Sequence, residues 1–425
     1  MQLLNLYDGT QTLVWHQGQA ISRATFTHAA RQLAERLPDV THVINLCSGR
    51  LNFMLAFAAA ALRGQMTLLP PNQTPATLEQ MREAHPRHVI LYDADLQDLD
   101  LSGTSTTSLD VEAQAIIATL FTSGSTGVPQ PQPKTWRTLA RTGELDAARF
   151  AGDKALNIVA TVPSQHMFGL QTTVLMPFMS RCAIHDSRPF FPADIRAALQ
   201  SIPAPRALVT TPTHLRTCVT ADLDLPELAF ILSATAPMPL TVAEQAEARW
   251  RTEVLEIYGS TEAGAIATRR SVVGETWQLV PGVQLQPTAD GTLLNAAHLP
   301  DTLPLTDIVE PLPDNQFRLL GRASDQLKIA GKRTTLSELT HALLQIDGVS
   351  DGVIFMPAGA SRTAGLVVSR LQPAQILDAL AERVDPVFLP RPLYLVLQLP
   401  RNATGKLTQA DLQSALANYT SGAHD

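Results

Sequence analysis

The chain has 425 residues, 45% of them hydrophobic and 17% charged, with a formal net charge of -7. That length exceeds one small core and predicts two or three domains of ordinary globular composition. An acidic balance with no basic stripe excludes nucleic acid as a partner. The opening MQLLNLYDGTQTLVWH lacks a basic segment followed by an apolar one, so no secretory signal is expected. The longest apolar run, Phe53 to Leu62, lies between Arg50 and Arg63 and is too short for a membrane span. Cys47, Cys182 and Cys218 are far apart and match no disulfide or metal spacing, which points to a reduced, cytoplasmic setting.

From about residue 20, helix and strand patterns alternate. Ser22 to Leu37 reads as an amphipathic helix, His42 to Cys47 as a strand and Arg50 to Arg63 as a helix. A short strand from Met66, a helix over Ala76 to Ala84 and a strand over His88 to Asp93 follow. Ala115 to Leu120 (AIIATL) is apolar enough for a buried strand. Beyond it come a helix near Thr135 to Phe150, the strand NIVATVP, a helix near Leu170 to Met179, and strands CAIH and RALVTTP. FILSA, a helix over Thr241 to Trp250, and EVLEIYG close the series. This alternation predicts an α/β fold with a doubly wound parallel sheet. Between Trp277 and Leu294 short strands broken by Pro and Gly suggest a small barrel or meander. Past Ser324 a βααβ-like pattern suggests a small α+β domain, dividing the chain into 1–323 and 324–425.

Directly after the apolar strand, Phe121 to Pro129 reads FTSGSTGVP, with seven of nine positions Gly, Ser, Thr or Pro. Thr122, Ser123, Ser125 and Thr126 supply hydroxyl donors, while Gly124 and Gly127 let backbone N–H groups turn inward, which makes an anion cradle. A solvated Ser/Gly turn has the same composition, so the run by itself decides nothing. No Lys-Ser or Lys-Thr follows at Walker spacing. Only five of the 32 basic residues are lysines: Lys134, Lys154, Lys328, Lys332 and Lys406. Four of these fall in motif-like segments, where a compact ammonium on a flexible stem suits a moving phosphate or carboxylate.

Four further segments complete the pattern. VPSQHMFGL contains His166, Phe168 and Gly169; IYGSTEAG spans Ile257 to Gly264. LTDIVE with GRASDQLKIAGKR carries Asp307, Arg322 and Gly331, and LPRNATGKL carries Lys406. In order and spacing these five segments resemble the adenylate-forming superfamily, which includes acyl- and aryl-CoA synthetases, adenylation domains and luciferases. The resemblance covers roughly residues 20 to 415.

The resemblance implies two half-reactions: a carboxylate attacks the α-phosphate of MgATP, then a thiol attacks the acyl-adenylate. It places Thr122, Ser123, Ser125 and Thr126, with Gly124 and Gly127, around the departing phosphates. It puts Thr261 on the α-phosphate and Glu262 on Mg²⁺, a hard cation that wants oxygen ligands. Tyr258, beside Gly259, offers a face for adenine, and Asp307 with Arg322 takes the ribose. Lys406 bridges carboxylate and α-phosphate, and Gly331 lines the thiol path. The acid pocket is bounded by His166, Phe168 and Gly169, by Ser233, Ala234, Thr235 and Ala236, and by Ala263, Gly264 and Ala265. Simpler roles stand beside these: Thr261 and Glu262 as a capping pair, Asp307 as a turn residue, His166 as a core histidine.

The sequence also departs from the family. Gln130 stands where a lysine usually follows the loop proline, so Lys134 is the candidate to reach the γ-phosphate. Thr306 replaces the glycine before Asp307, and Ser324 occupies the hinge position. No aspartate near Phe168 can pair with an α-ammonium, and burying an unpaired charge is expensive, which disfavours amino acids. The compact form resembles ligases of aryl-polyene and fatty-acid-like clusters. An aromatic acid such as a hydroxybenzoate, passed to CoA or to the phosphopantetheine of an acyl carrier protein, is therefore the expected chemistry. A catalytically inactive adenylate binder and a ligase that stops at the adenylate are the alternatives.

Overall fold

The computed structural model describes residues 1–123, 129–289, 291–322, 325–329, 332–360, 362–401 and 407–421. Two sheets hold most of the strands up to residue 322. The smaller has five strands in the order 88–91, 42–45, 66–69, 116–123 and 129–135. Its first four strands run parallel, and the fifth returns antiparallel as a hairpin partner of the fourth. The larger has 11 strands, and at its centre 183–185, 157–160, 206–210, 230–233 and 254–260 lie parallel in that order. These central strands are covered on both faces. That is why they read as unbroken apolar runs, and why Ile158, Val159, Leu208, Val209, Ile231 and Leu232 are fully buried.

Helix ends follow local chemistry. Ser22 caps helix Arg23–Arg36, its hydroxyl accepting the Thr25 N–H. Helix Arg50–Leu62 is alanine-rich and buried along nearly its whole length. Trp136–Asp146 runs on into a wider turn at Ala147–Ala151. The expected helix near 170–179 begins earlier, at Met167, and widens over Gln171–Leu175. There Thr172 and Thr173 donate back to the carbonyls of Phe168 (2.6 Å) and Gly169 (2.7 Å), competing with the helical ladder.

The proline- and glycine-broken segment takes the meander form. Val283–Thr288, Gly291–Ala296 and Leu303–Leu305 make a three-stranded antiparallel sheet. Trp277–Leu279, Asp307–Leu312 and Gln316–Arg322 instead extend the large sheet. From residue 325 the chain adds one strand pair that the βααβ pattern lacks, 326–329 with 332–335. A capping box of Thr335 and Glu338 delays the next helix to Leu336–Leu344. A three-stranded sheet (349–355, 364–369, 393–395) and helices Pro373–Ala381 and Gln409–Ser421 follow, packed on cores of their own around Leu343, Val367 and Leu380, and around Leu366 and Leu412. Asp351 joins this part to the rest: it pairs at 2.9 Å with Arg216 and at 2.9 Å with Arg401. Among the described residues no helix is long and apolar enough to cross a membrane.

Candidate active site

Strands 157–160, 206–210, 230–233 and 254–260 are neighbours in the sheet and point the same way. The segments leaving their carboxyl ends therefore lie side by side along one edge, where open α/β sheets bind ligands. Those segments are 161–169, 211–214, 234–238 and the turn after Ser260. The order of strands, not nearness in sequence, brings them together.

A small cavity of about 20 Å³ sits on this edge, lined by Thr161, Val162, Pro163, His166, Phe168, Gly169, Thr211, His214 and Thr235. Its floor is fixed from below. Buried Arg50 donates to Ser164 Oγ (3.0 Å) and to the carbonyls of Ala160 (2.6 Å) and Val162 (2.8 Å). Gly169 is required by close approach, since a Cβ there would lie 1.9 Å from the Pro163 carbonyl oxygen. His166, Phe168, Gly169 and Thr235 thus stand together as the sequence suggested. Ser233 and Ala234 are buried just below, and Ala236 is half-buried beside them. Thr161, Thr211 and His214 were missed by sequence reasoning. For Thr211 and His214 the signal was the polar run TTPTH at the end of an apolar strand, which reads equally well as a helix cap, and Thr211 is one; Thr161 sits inside the strand run NIVATVP.

Strand Val254–Ser260 turns back as a hairpin with Gly264–Arg269. Thr261 and Glu262 occupy its turn, half-buried, and do not begin a helix, so the capping-pair alternative does not apply. Gly259 lets the two strands cross closely: a Cβ there would meet the Gly264 oxygen at 2.2 Å. Gly264 itself faces Met167 and Thr142, with Ala263 and Ala265 buried on either side. Tyr258 packs its ring against Trp277 and Phe317, each 5.6 Å away, and donates its hydroxyl to Asp307 Oδ2 at 2.5 Å. Asp307 is the register partner of Arg322 across the 307–312 and 316–322 ladder.

Lys134 does not extend toward open solvent. It is 6% exposed, and Nζ donates to the Glu262 carbonyl at 2.5 Å. Burial pushes its pKa down to about 8, with the Glu262 carboxylate pulling the other way. Lys134 thereby ties the pair of strands 116–123 and 129–135 to the Thr261–Glu262 turn. Thr122 ends the strand that enters the loop, and its Oγ1 lies 3.5 Å from the Gln130 carbonyl. Gly124, Ser125, Thr126, Gly127, Ser324, Gly331 and Lys406 lie outside the described residues, as do the side chains of Ser123 and Arg322.

Among the described residues no group of three or more His, Cys, Asp or Glu could hold a metal. A lone carboxylate at Glu262 fits Mg²⁺, which keeps several waters and binds through one or two carboxylates plus substrate phosphates.

A protein-family model described as AMP-binding enzyme matches residues 11–294. A 4-coumarate–CoA ligase of Rhodobacter capsulatus is 29% identical over 266 residues, 61% of this chain and 65% of that protein. One from Halorhodospira halophila is 28% identical over 299 residues, 68% of this chain and 74% of its own length. The matches thus span about two thirds of these relatives. The crystal structure of ATP-bound MatB from Rhodopseudomonas palustris superposes with a TM-score of 0.82 at 18% identity, covering 98% of this chain and 97% of that one.

Proposed function

Because the chain belongs to the AMP-binding enzyme family, we propose that it is an ATP-dependent ligase joining a carboxylic acid to a phosphopantetheine thiol. In the first half-reaction a carboxylate oxygen attacks the α-phosphorus, the bond to the β-phosphate breaks, and pyrophosphate leaves. In the second, a thiolate sulfur attacks the acyl carbon, the acyl–oxygen bond of the adenylate breaks, and AMP leaves. Such chemistry asks the protein for positioning and charge stabilisation rather than covalent participation. The observation that carries this reading is the shared edge, where the segments leaving strands 157–160, 206–210, 230–233 and 254–260 lie side by side.

Each residue has a defined task. Thr122, Ser123, Ser125 and Thr126 receive the β- and γ-phosphates, and Thr261 contacts the α-phosphate. Glu262 holds Mg²⁺, which supplies neutralising charge to the phosphate oxygens when bound. Asp307 accepts the ribose hydroxyls, with its carboxylate steadied by Tyr258. Lys134 keeps the Glu262 turn in place from beneath. Lys406 bridges the two reacting anions during adenylation. Residues 324–425 form a unit that then turns about Ser324 and presents Gly331 for thiol entry.

The acid is a small aromatic one. The relatives named 4-coumarate–CoA ligase support the same class. Three buried free cysteines suit a reduced cytoplasm.

Pyrophosphate release across a panel of aryl and alkyl acids, with CoA and holo-acyl carrier protein compared as acceptors, tests the proposal. AMP, pyrophosphate and thioester should form in equal amounts with an aryl acid. Pyrophosphate without thioester would identify a ligase that stops at the adenylate, and neither product would identify an inactive adenylate binder.

A further inference from the structure

One carboxylate links residues 325–425 to the part of the chain that holds the cavity. Asp351 stands in strand 349–355 and is buried. Its Oδ2 lies 2.9 Å from Nη1 of Arg216. Its Oδ1 accepts from Arg401 Nη2 at 2.9 Å and from the Gly352 N–H at 2.9 Å, while Arg401 Nε reaches Oδ2 at 3.3 Å. Arg401 therefore grips the carboxylate with two N–H groups, the strong form of such a pair. Arg216 meets it through Nη1.

The two arginines stand at telling places. Arg216 belongs to helix Pro212–Thr220, two residues past the cavity-lining His214. Arg401 pairs with Leu407 as an antiparallel bridge, so both ends of the segment that carries Lys406 are fixed together. Three side chains thus run from the cavity edge through Asp351 to the root of the Lys406 segment. Contacts beside the connection at Ser324 are of another kind. Helix Leu336–Leu344 packs near strand Gln316–Arg322, and Thr335 Oγ1 donates to the Leu320 carbonyl at 3.3 Å. Arg216 lies away from that connection, so its contact must break if residues 324–425 turn.

We propose that the Arg216–Asp351 pair is a latch that holds residues 324–425 in the orientation for adenylate formation and opens for thiol transfer. Both are positioning residues, acting through Arg401 on the placement of Lys406. Their side chains are 21% and 12% exposed, so salt and water reach the pair and its strength is modest. That suits a contact which biases one orientation and is broken in every turnover. Loss of Arg216 leaves Asp351 bonded to Arg401 and to the Gly352 N–H, so the smaller unit keeps its fold. The inference rests on the turning of residues 324–425 given above.

The test follows both half-reactions of the full chain in wild type, Arg216→Gln and Arg216→Lys: acid-dependent pyrophosphate exchange, and transfer from a supplied acyl-adenylate to the thiol. Arg216→Gln should slow exchange about tenfold and leave transfer as fast as in wild type or faster. Arg216→Lys, able to make the same single contact, should recover most of the exchange. Raising the ionic strength from about 0.05 M to about 0.5 M should slow exchange and speed transfer in wild type, an opposed response that Arg216→Gln lacks. Where Arg216→Gln unfolds early, the wild-type salt response decides, and its absence overturns the latch. Proportional losses in the two halves, or full exchange in Arg216→Gln, would also overturn it. Lys406→Ala, run alongside, reports on the turning itself. If it loses exchange and keeps transfer, the latch falls alone; if it loses both equally, the turning falls too.

Discussion

The proposed nucleotide side and the proposed acid side of the cleft are built differently. On the nucleotide side the polar groups already hold one another: Tyr258 to Asp307, and Lys134 to the Glu262 carbonyl. On the acid side Thr235 Oγ1 and Ser233 Oγ are buried without a bond among the described residues. On the proposed reading, the nucleotide meets groups already bonded to one another, while the acid meets hydroxyls still unbonded among the described residues. Changes on the nucleotide side should therefore lower activity alike for every acid. Changes on the acid side should reorder the acids.

The largest expected effects fall on the nucleotide side. Lys406→Ala should lower acid-dependent pyrophosphate exchange by about a hundredfold or more, as when one preorganised charge donor is lost. Transfer from a supplied acyl-adenylate to the thiol should hardly change. Gly331→Leu should do the reverse, because a side chain there obstructs the thiol path. Equal losses in both half-reactions for both variants would contradict the turning of residues 324–425. Glu262→Gln should lower adenylation on the order of a hundredfold with every acid tested, the charged metal ligand being gone. Exchange at near wild-type rate would remove the metal from Glu262.

Asp307→Ala comes next. Loss of the equivalent of one charge-assisted bond to the ribose, about 1.5–3 kcal/mol, should raise the ATP KM by roughly ten- to a hundredfold. An unchanged ATP KM would return Asp307 to an ordinary turn residue. A changed ranking of acids would show that the two sides of the cleft are not separate.

The smallest effect concerns stability. The folded pKa of Lys134 lies near 8, below the ordinary lysine value of 10.5. Between those values the unfolded chain binds more protons than the folded one, so this group's contribution to stability rises with pH. Below pH 8 both states carry the proton and the contribution is flat. Urea unfolding of wild type against Lys134→Met should show the difference shifting in favour of wild type from about pH 8 to 10.5, by up to about 1 kcal/mol per pH unit. A pH-independent difference across that range would contradict a desolvated Lys134.

The same contrast explains what the sequence made legible. Nucleotide-side residues sit in contiguous stretches such as IYGSTEAG, where glycine and hydroxyl chemistry is local and the turn type follows from it. The apolar strands of the sheet centre were equally plain, because burial on both faces leaves unbroken hydrophobic runs. His214 was not legible as a pocket residue. Its place depends on strand 206–210 lying between 157–160 and 230–233, a pairing no local pattern encodes. Nor could spacing show that Lys134 turns inward to the Glu262 carbonyl, 128 residues away. The extra strand pair at 326–335 escaped notice because its two strands are only four residues each.

Exchange of labelled pyrophosphate into ATP, run with and without a monohydroxybenzoate, tests the central claim most directly. Reversible adenylate formation predicts label in ATP only when the acid is present, lost in Lys406→Ala and in Glu262→Gln, with AMP and no ADP among the products. Exchange without acid, ATP cleaved to ADP, or no exchange with any acid would contradict it.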